Sequence, residues 1–470
     1  MFSEAYRQRR TLMQTGWSYN EIYQAKLWDP RCYHTLSVAL ERLGEHPECS
    51  LSRALGSQRK AISRILHHEE TSADDLLVGH IQATSHRCQQ EKFVLVASDT
   101  TILDLTAHKA TEGLGYVNDK EGQRGFLTHS ALAITQSGIP LGLLHQQSWV
   151  RDPDTFGTAK ERKKRSFENK ESYKWQEAIE GIEKALPPSV RALVIQDREA
   201  DIFEFFAAPR RAGIGLLIRA TQPRRLEIPT PNGPSNVFAA IAQAPVVATL
   251  CVLVRARPDR EARMAFLSVR QQTLSIRAPL HGLASKKEAV TLTVIRASEE
   301  TPPVGVKEPV EWVLFTTEPV ATAEEALAMV DYYAKRWLIE RFHYVLKSGC
   351  GFEKLQLDQF ATLQKALSLY SIVAWRLLHL TYLARQAPDT PAEEAISPTE
   401  REVLERATGR TVTTVADAVL AVARIAGFQS VPSAPTPGVK SLWLGFRKLH
   451  DMVLGFQLAR QFPSLLTGQD

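Results

Sequence analysis

The chain has little cysteine. Its five residues, Cys32, Cys49, Cys88, Cys251 and Cys350, are scattered through 470 positions without a C-x-x-C pair. That spacing excludes a cysteine zinc site and a disulfide scaffold, and it suits a reducing, cytoplasmic compartment. No apolar run of seven or more residues follows Met1 to Arg10, so no secretion signal is expected. Long hydrophobic runs are scarce as well. The one stretch of spanning length, 366–384, carries Arg376 and His379, which are costly in lipid. A buried core helix is expected there, and no membrane partner. Repeats at solenoid periods are absent. An excess of one charge sign is small too, with 57 Lys+Arg against 52 Asp+Glu. What the chain does have is length enough for roughly three domains with cores that need no staple.

The near-balanced charge hides an uneven distribution. Residues 1–66 hold ten Lys/Arg and six Asp/Glu. The stretch reads as helical: Asp29 can cap a helix opened by Pro30, with Leu36, Ala39, Leu40 and Leu43 as its apolar stripe and Gly44 as its stop. In SLSRALGSQRKAISRIL, residues 50–66, one helix ends at Gly56 and Ser57 can cap the next. Ala61, Ile62 and Ile65 then point inward, while Arg59, Lys60 and Arg64 point out. This is the layout of a helix-turn-helix with a basic second helix suited to a major groove, although an ordinary amphipathic pair shares it. Residues 1–75 are thus expected to form an all-α DNA-binding domain.

Residues 76–385 alternate strands with helices, as an α/β domain does. A strand over 92–98 ends at Asp99, and 101–105 continues it beyond the carboxylate. Another, 192–196, ends at Asp197. About 222–310 opens with Pro223, Pro229, Pro231 and Pro234 and then turns β-rich, the mark of a β insertion. A strand at 312–315 and a long helix over 322–349 follow. A linker from about 386 leads into an all-α C-terminal domain, 386–470. Residues 160–165, KERKKR, are a basic cluster that fits either a DNA contact or a solvated loop.

The chemistry gathers around three acids. A carboxylate at the end of a central strand is held by the ladder and exposed at the sheet edge, as a divalent cation requires. Asp99 and Asp197 fit that description, though an Asp there also caps turns. In DYYAKRWLIERFHYVLKSG, residues 331–349, Tyr333, Arg336, Glu340, His343 and Lys347 recur at spacings of 3, 4, 3 and 4. They share one helix face, while Leu338, Phe342, Val345 and Leu346 form a separate apolar stripe. One acid among four groups suited to phosphate is unusual for a merely solvated face. Three carboxylates converging on a pair of Mg²⁺ ions suit in-line displacement at a phosphodiester, with Arg336 and Lys347 holding the substrate backbone.

SDTT at 98–101, QDREADI at 196–202 and the Y-x2-R-x3-E-x6-K pattern of Tyr333, Arg336, Glu340 and Lys347 resemble the DDE transposases bearing the YREK signature, bacterial cut-and-paste enzymes of the insertion-sequence type. GLLHQQSWVRDP (142–153), LIRATQPR (217–224), EWVLFTTEPV (311–320) and RWLIERFH (336–343) extend the similarity over about residues 90–385. The resemblance implies an RNase H-like catalytic domain with a β-rich insertion, flanked by all-α N- and C-terminal domains. It implies that Asp99, Asp197 and Glu340 bind two Mg²⁺ ions, for which Mn²⁺ can substitute. Tyr333, Arg336 and Lys347 would contact DNA phosphates, joined by His343 on the same face. Trp312 falls where such enzymes stack a flipped base, and Arg219 where the family places a DNA-contacting arginine.

The partners implied are double-stranded DNA, as terminal inverted repeats and target, and a second copy in a synaptic complex. Leu442, Phe446, Leu449, Val453 and Phe456 form a C-terminal stripe that suits a partner helix or the chain's own domain. The expected location is the cytoplasm, on the nucleoid when DNA is bound. The expected activity is metal-dependent end cleavage, hairpin formation and opening, and strand transfer. A nuclease without strand transfer and a non-catalytic DNA-binding descendant are the rivals.

Overall fold

The computed structural model describes residues 16–462 apart from 48, 50, 119–121, 153–164, 228–232, 255, 258–260, 281–283, 285–286 and 432–434. Its centre is one ten-stranded sheet. The strands are β1 (Phe93–Asp104), β2 (Gly115–Tyr116), β3 (Arg124–Ile134), β4 (Pro140–Trp149), β5 (Arg191–Gln196), β6 (Ile214–Arg219), β7 (Val246–Val254), β8 (Arg263–Ile276), β9 (Val290–Ser298) and β10 (Glu311–Thr316). They lie in the order β2-β3-β1-β5-β6-β10-β9-β8-β7, with β4 also on β3. β1 runs antiparallel to β3 and parallel to β5, and β5 runs parallel to β6. Strands covered on both faces read as continuous apolar runs, as in ALVI and GLLI of β5 and β6.

The strands of the expected insertion join the central sheet. β7, β8 and β9 are bonded in series onto β10 and lengthen the same sheet. The alternation that marked these strands as β-rich specifies pairing, and β10 offers them an edge. β1 likewise runs past Asp99 to Asp104, because β3 pairs with it along that whole length.

The N-terminal helices are α1 (Trp17–Ile22), α2 (Arg31–Glu45), α3 (Leu51–Leu55) and α4 (Arg59–His67). α2 begins one residue later than expected, with Pro30 itself at the N-cap; the Asp29 carboxylate still accepts from the Arg31 amide at 2.8 Å, and the helix continues through Gly44. Ser57 caps nothing, since it lies within a 3₁₀ turn, Gly56–Gln58, that leads directly into α4. Next comes α5 (Ala73–Gln89), opened by a reciprocal Ser72–Asp75 capping box. α6 (Lys174–Ala185) covers β3 and β4, and α7 (Phe203–Phe206) and α8 (Val237–Gln243) are short.

After β10 come α9 (Ala323–Ala334), α10 (Trp337–Tyr344), α11 (Phe360–Gln386), α12 (Pro398–Thr408), α13 (Val415–Ile425) and α14 (Val439–Gln461). α11 is the one described helix long and apolar enough to cross a membrane, and most of it is buried inside the protein. It organises a single hydrophobic cluster in which Leu36, Leu40 and Ile62 of the N-terminal helices join Leu367 and Tyr370 of α11 and Trp443 of α14. Residues 16–75 therefore share the central core rather than owning one.

A buried polar knot reinforces that junction. The Glu21 carboxylate of α1 accepts from Arg87 at 2.7 Å and from His80 Nδ1, both on α5. The Leu143 amide of β4 donates to His80 Nε2 at 3.0 Å, so that nitrogen is an acceptor and the imidazole is neutral. Arg87 also donates to the Leu141 carbonyl at 2.6 Å.

The C-terminal stripe is filled by its own chain. Leu442, Leu449 and Val453 are buried against Val403 and Leu404 of α12 and Val415, Val419 and Val422 of α13, with Phe446 and Phe456 packed at the margin. The apolar side chains that α14 leaves exposed are Leu454 and Leu458.

Candidate active site

The parallel register of β1 and β5 runs from Phe93↔Arg191 to Ala97↔Ile195. It stops two residues short of Asp99 and Asp197, which leave the paired strands on the same side, near enough for the charge of Asp197 to act on Asp99. β5 ends at Gln196, so at Asp99 β1 keeps a partner on the β3 side alone. The sheet opens there between two carboxylates. Asp197 also caps the 3₁₀ turn Arg198–Ala200, accepting from the Glu199 amide at 2.9 Å.

The third acid comes from the helices. The long helix expected over 322–349 is broken: α9 ends at Ala334, α10 restarts at Trp337, and Val345–Gly349 is a π turn closed by Cys350 N–H to the Val345 carbonyl at 2.7 Å. The break places Arg336 at the joint, where its guanidinium donates to Asp99 at 3.3 Å and to Glu340. The wider π turn lets Lys347 donate to the Ile102 carbonyl at 2.8 Å while pairing with Glu353 at 3.1 Å. Such turns recur at functional sites. Gly349 is required here by packing, because a Cβ would sit 2.7 Å from the Trp443 ring of α14.

Asp99, Glu340, His343, Tyr344, Lys347 and Glu353 line a cleft of about 400 Å³. Asp197 stands beside the cleft and is not part of its lining. Burial first, then the charge of Asp197, push the Asp99 carboxyl up to about 6, against the pull of Arg336 and of the Thr100 amide. Tyr333 is buried, which raises its phenol; Arg336 and Arg219 pull the other way and Asp197 adds to the rise. Its ring meets Trp312 edge-on at 5.5 Å. Trp312, Tyr333, Arg336 and Arg219 are therefore one neighbourhood, drawn from β10, α9, the helix joint and β6. Arg219 also reaches the Glu311 carbonyl at 3.4 Å.

The remaining expected residues fall elsewhere or behave differently. His343 lines the cleft, yet burial, aided by Lys347, lowers it to about 3, so it offers phosphate no positive charge. Its Nε2 is buried without a hydrogen-bond partner. Arg59, Lys60 and Arg64 are exposed on α4 and line no part of the cleft. Of the 160–165 cluster only Arg165 lies within the described residues. It borders a second cavity of about 810 Å³ with Trp149, Arg151 and Lys174. Tyr344 and Glu353 line the cleft outside the expected set: Tyr344 lies one turn after Glu340 on α10, and Glu353 belongs to the 3₁₀ turn Phe352–Lys354 beyond the helix.

Among the described residues, no group of three or more His, Cys, Asp or Glu side chains is close enough to hold a metal ion. Arg336 supplies the positive charge between Asp99 and Glu340. The donor set nonetheless fits a hard divalent cation: the acids offer carboxylate oxygens, and the crowding of Asp99 by Asp197 is the repulsion such an ion relieves.

Residues 144–376 match the family model described as the transposase DDE domain. That range contains Asp197, Trp312, Tyr333, Arg336, Glu340 and Lys347, and begins after Asp99. The matched stretch is thus similar to a transposase DDE domain, and here it is built on a mixed α/β sheet with helices. Among solved structures, the chain is similar to the piggyBac transposase synaptic complex with hairpin DNA, at 11% identity over 82% of this chain and 67% of that chain, with a TM-score of 0.33.

Proposed function

We propose that the chain is a cut-and-paste DNA transposase of the YREK-bearing bacterial insertion-sequence type, with an RNase H-like catalytic domain. The observation that carries this reading is that Asp99 of β1 feels the charge of Asp197, just past the end of the parallel neighbour β5, and is tied to Glu340 through Arg336. The switch of β1 from an antiparallel neighbour to a parallel one supports the fold assignment.

Asp99, Asp197 and Glu340 would hold two Mg²⁺ ions, with Mn²⁺ serving in their place. Bound there, such ions lower the pKa of water and neutralise charge on the displaced oxygens. For the acids to close on an ion, Arg336 must give up at least one of its two carboxylates, and a DNA phosphate is the natural acceptor for the freed guanidinium. Lys347 stands on the same wall of the cleft for a neighbouring phosphate. Tyr333 backs Arg336, and Trp312 offers an aromatic surface to a base leaving the stack.

In the reaction, water attacks at the element's end and the released 3′-OH attacks the opposite strand to give a hairpin. Water then opens the hairpin, and the 3′-OH attacks target DNA. Each step is an in-line displacement at a phosphodiester, so one set of side chains serves all of them. A homodimer assembled on double-stranded DNA belongs to this reading, with contacts other than the self-packed stripe of α14.

The test is incubation of the purified chain with the DNA flanking its coding region, a target plasmid and Mg²⁺, followed by product mapping. Cut ends together with products joined to the target support the proposal. Cuts that are never joined reduce it to a nuclease, and intact DNA in both Mg²⁺ and Mn²⁺ overturns it.

A further inference from the structure

Behind the acids, on the opposite face of the sheet, lies a second polar cluster. Side chains alternate along a strand, so Ser98 and Thr100 point away from the face that Asp99 occupies. His129 of β3, in register with Thr100, meets both. Its Nε2 lies 2.6 Å from the Ser98 hydroxyl and its Nδ1 2.9 Å from the Thr100 hydroxyl. One imidazole thus grips β1 on either side of Asp99. A neutral ring has one donor and one acceptor nitrogen, and a hydroxyl can answer either. Ser98 and His129 are fully buried, so the pair has no access to substrate and no nucleophilic role.

The cluster continues toward the other acid. The His129 ring packs edge-on against Trp175 of α6, with centroids 4.7 Å apart. The adjacent Lys174 is itself almost buried, and its ammonium lies 3.5 Å from the Glu199 carboxylate. Glu199 is the residue whose amide Asp197 caps. A chain of side-chain contacts therefore runs from Ser98 and Thr100, which flank Asp99, through His129 and the start of α6 to Glu199, two residues beyond Asp197.

We infer that His129, backed by Trp175 and Lys174, is a positioning residue that fixes Asp99 and Asp197 relative to one another. A twist of β1 that redirects the Cα–Cβ bond of Asp99 would break the two hydroxyl contacts, which sit on either side of it. This inference rests on the proposed transposase chemistry, since it assigns the two aspartates a shared task.

The test compares the full-length wild type with His129→Leu, which keeps bulk but loses both bonds, and His129→Gln, which keeps a donor and an acceptor. Three quantities are read: the cleavage rate on flanking DNA, the affinity for DNA, and the affinity for Mn²⁺ followed by its electron paramagnetic resonance. His129→Leu is expected to slow cleavage and weaken Mn²⁺ binding by about 10- to 100-fold, the usual cost of losing a group that orients a metal ligand. DNA affinity stays unchanged, and His129→Gln recovers most of the loss. In a Ser98→Ala, Thr100→Val background, His129→Leu adds little further, because the interaction it removes is already gone.

Wild-type rates and Mn²⁺ affinity in His129→Leu overturn the inference. So does a full additional loss in the hydroxyl-free background. A fall in melting temperature without a fall in Mn²⁺ affinity also overturns it, as that is the mark of a purely structural residue. Failure of the wild type to cut DNA sinks the transposase proposal by itself; the Mn²⁺ affinities of the wild type and His129→Leu still decide the positioning role. A wild-type chain that binds no Mn²⁺ overturns both.

Discussion

Two buried acids in this molecule stand in opposite electrostatic states. Glu21 is enclosed almost completely, and burial alone would raise its carboxyl. His80 and Arg87 outweigh burial and hold it down to about 2. Asp99 has Arg336 and one backbone amide, yet burial and the neighbouring Asp197 push it up to about 6. The first carboxylate is answered by two donors of α5, which in turn bond the β4 backbone. The second shares one guanidinium with Glu340 and faces another acid. A protein that can satisfy Glu21 so fully leaves Asp99 under-compensated, and the proposed role of Asp99 as a metal ligand would use that residual demand for positive charge.

The contrast breaks most visibly at Glu21. Glu21→Ala removes the carboxylate from the half-buried Arg87 and leaves the fully buried His80 without an acceptor for its Nδ1 proton, and a loss of about 3–5 kcal/mol in urea unfolding is expected. Mn²⁺ affinity of the folded fraction should not change. A loss below about 1 kcal/mol would place the Glu21 pair with ordinary surface ion pairs and dissolve the comparison.

The opposite substitution sharpens it. The folded value of Asp99, about 6, lies above its ordinary value of 3.8, so folding favours the neutral acid. That contribution is complete below about pH 4 and is lost as the pH rises through 6. In EDTA, Asp99→Asn is therefore expected to stabilise the protein by about 1–3 kcal/mol at pH 7 and to leave it unchanged at pH 4, as read by unfolding at both values. Equal effects at the two pH values would show that Asp99 is not crowded. The smallest expected effect is at α4. Replacing Arg59, Lys60 and Arg64 together by Ala should lower the slope of log K for DNA against log salt by about 0.9 for each phosphate that the chain no longer neutralises. An unchanged slope would take α4 out of the DNA path.

Much of this was legible in the sequence, and the misses share a cause. Asp99 and Asp197 could be placed because a strand ending in a carboxylate is a local pattern. Glu340, Arg336 and Lys347 could be placed because helical periodicity is local too. The break at Lys335–Arg336 and the π turn at Val345–Gly349 were not legible. They arise from tertiary demands: Arg336 reaching two acids, and Gly349 admitting Trp443. The same holds for the β insertion, whose strands were recognisable while their continuation of the central sheet depends on the free edge of β10. His343 shows the limit most plainly. Its position on the face was right, but burial, which periodicity does not report, removes its charge. The stripe on α14 was apolar for the chain's own α12 and α13.

The most direct measurement is cleavage of flanking DNA in Mg²⁺ by Asp99→Asn, Asp197→Asn and Glu340→Gln, each compared with the wild type at saturating protein. The expected result is a loss of at least about a thousandfold in each variant, about 4 kcal/mol of transition-state stabilisation, with folding and DNA binding retained. Wild-type cleavage by any one of the three would remove that acid from the site and contradict the claim that they act together.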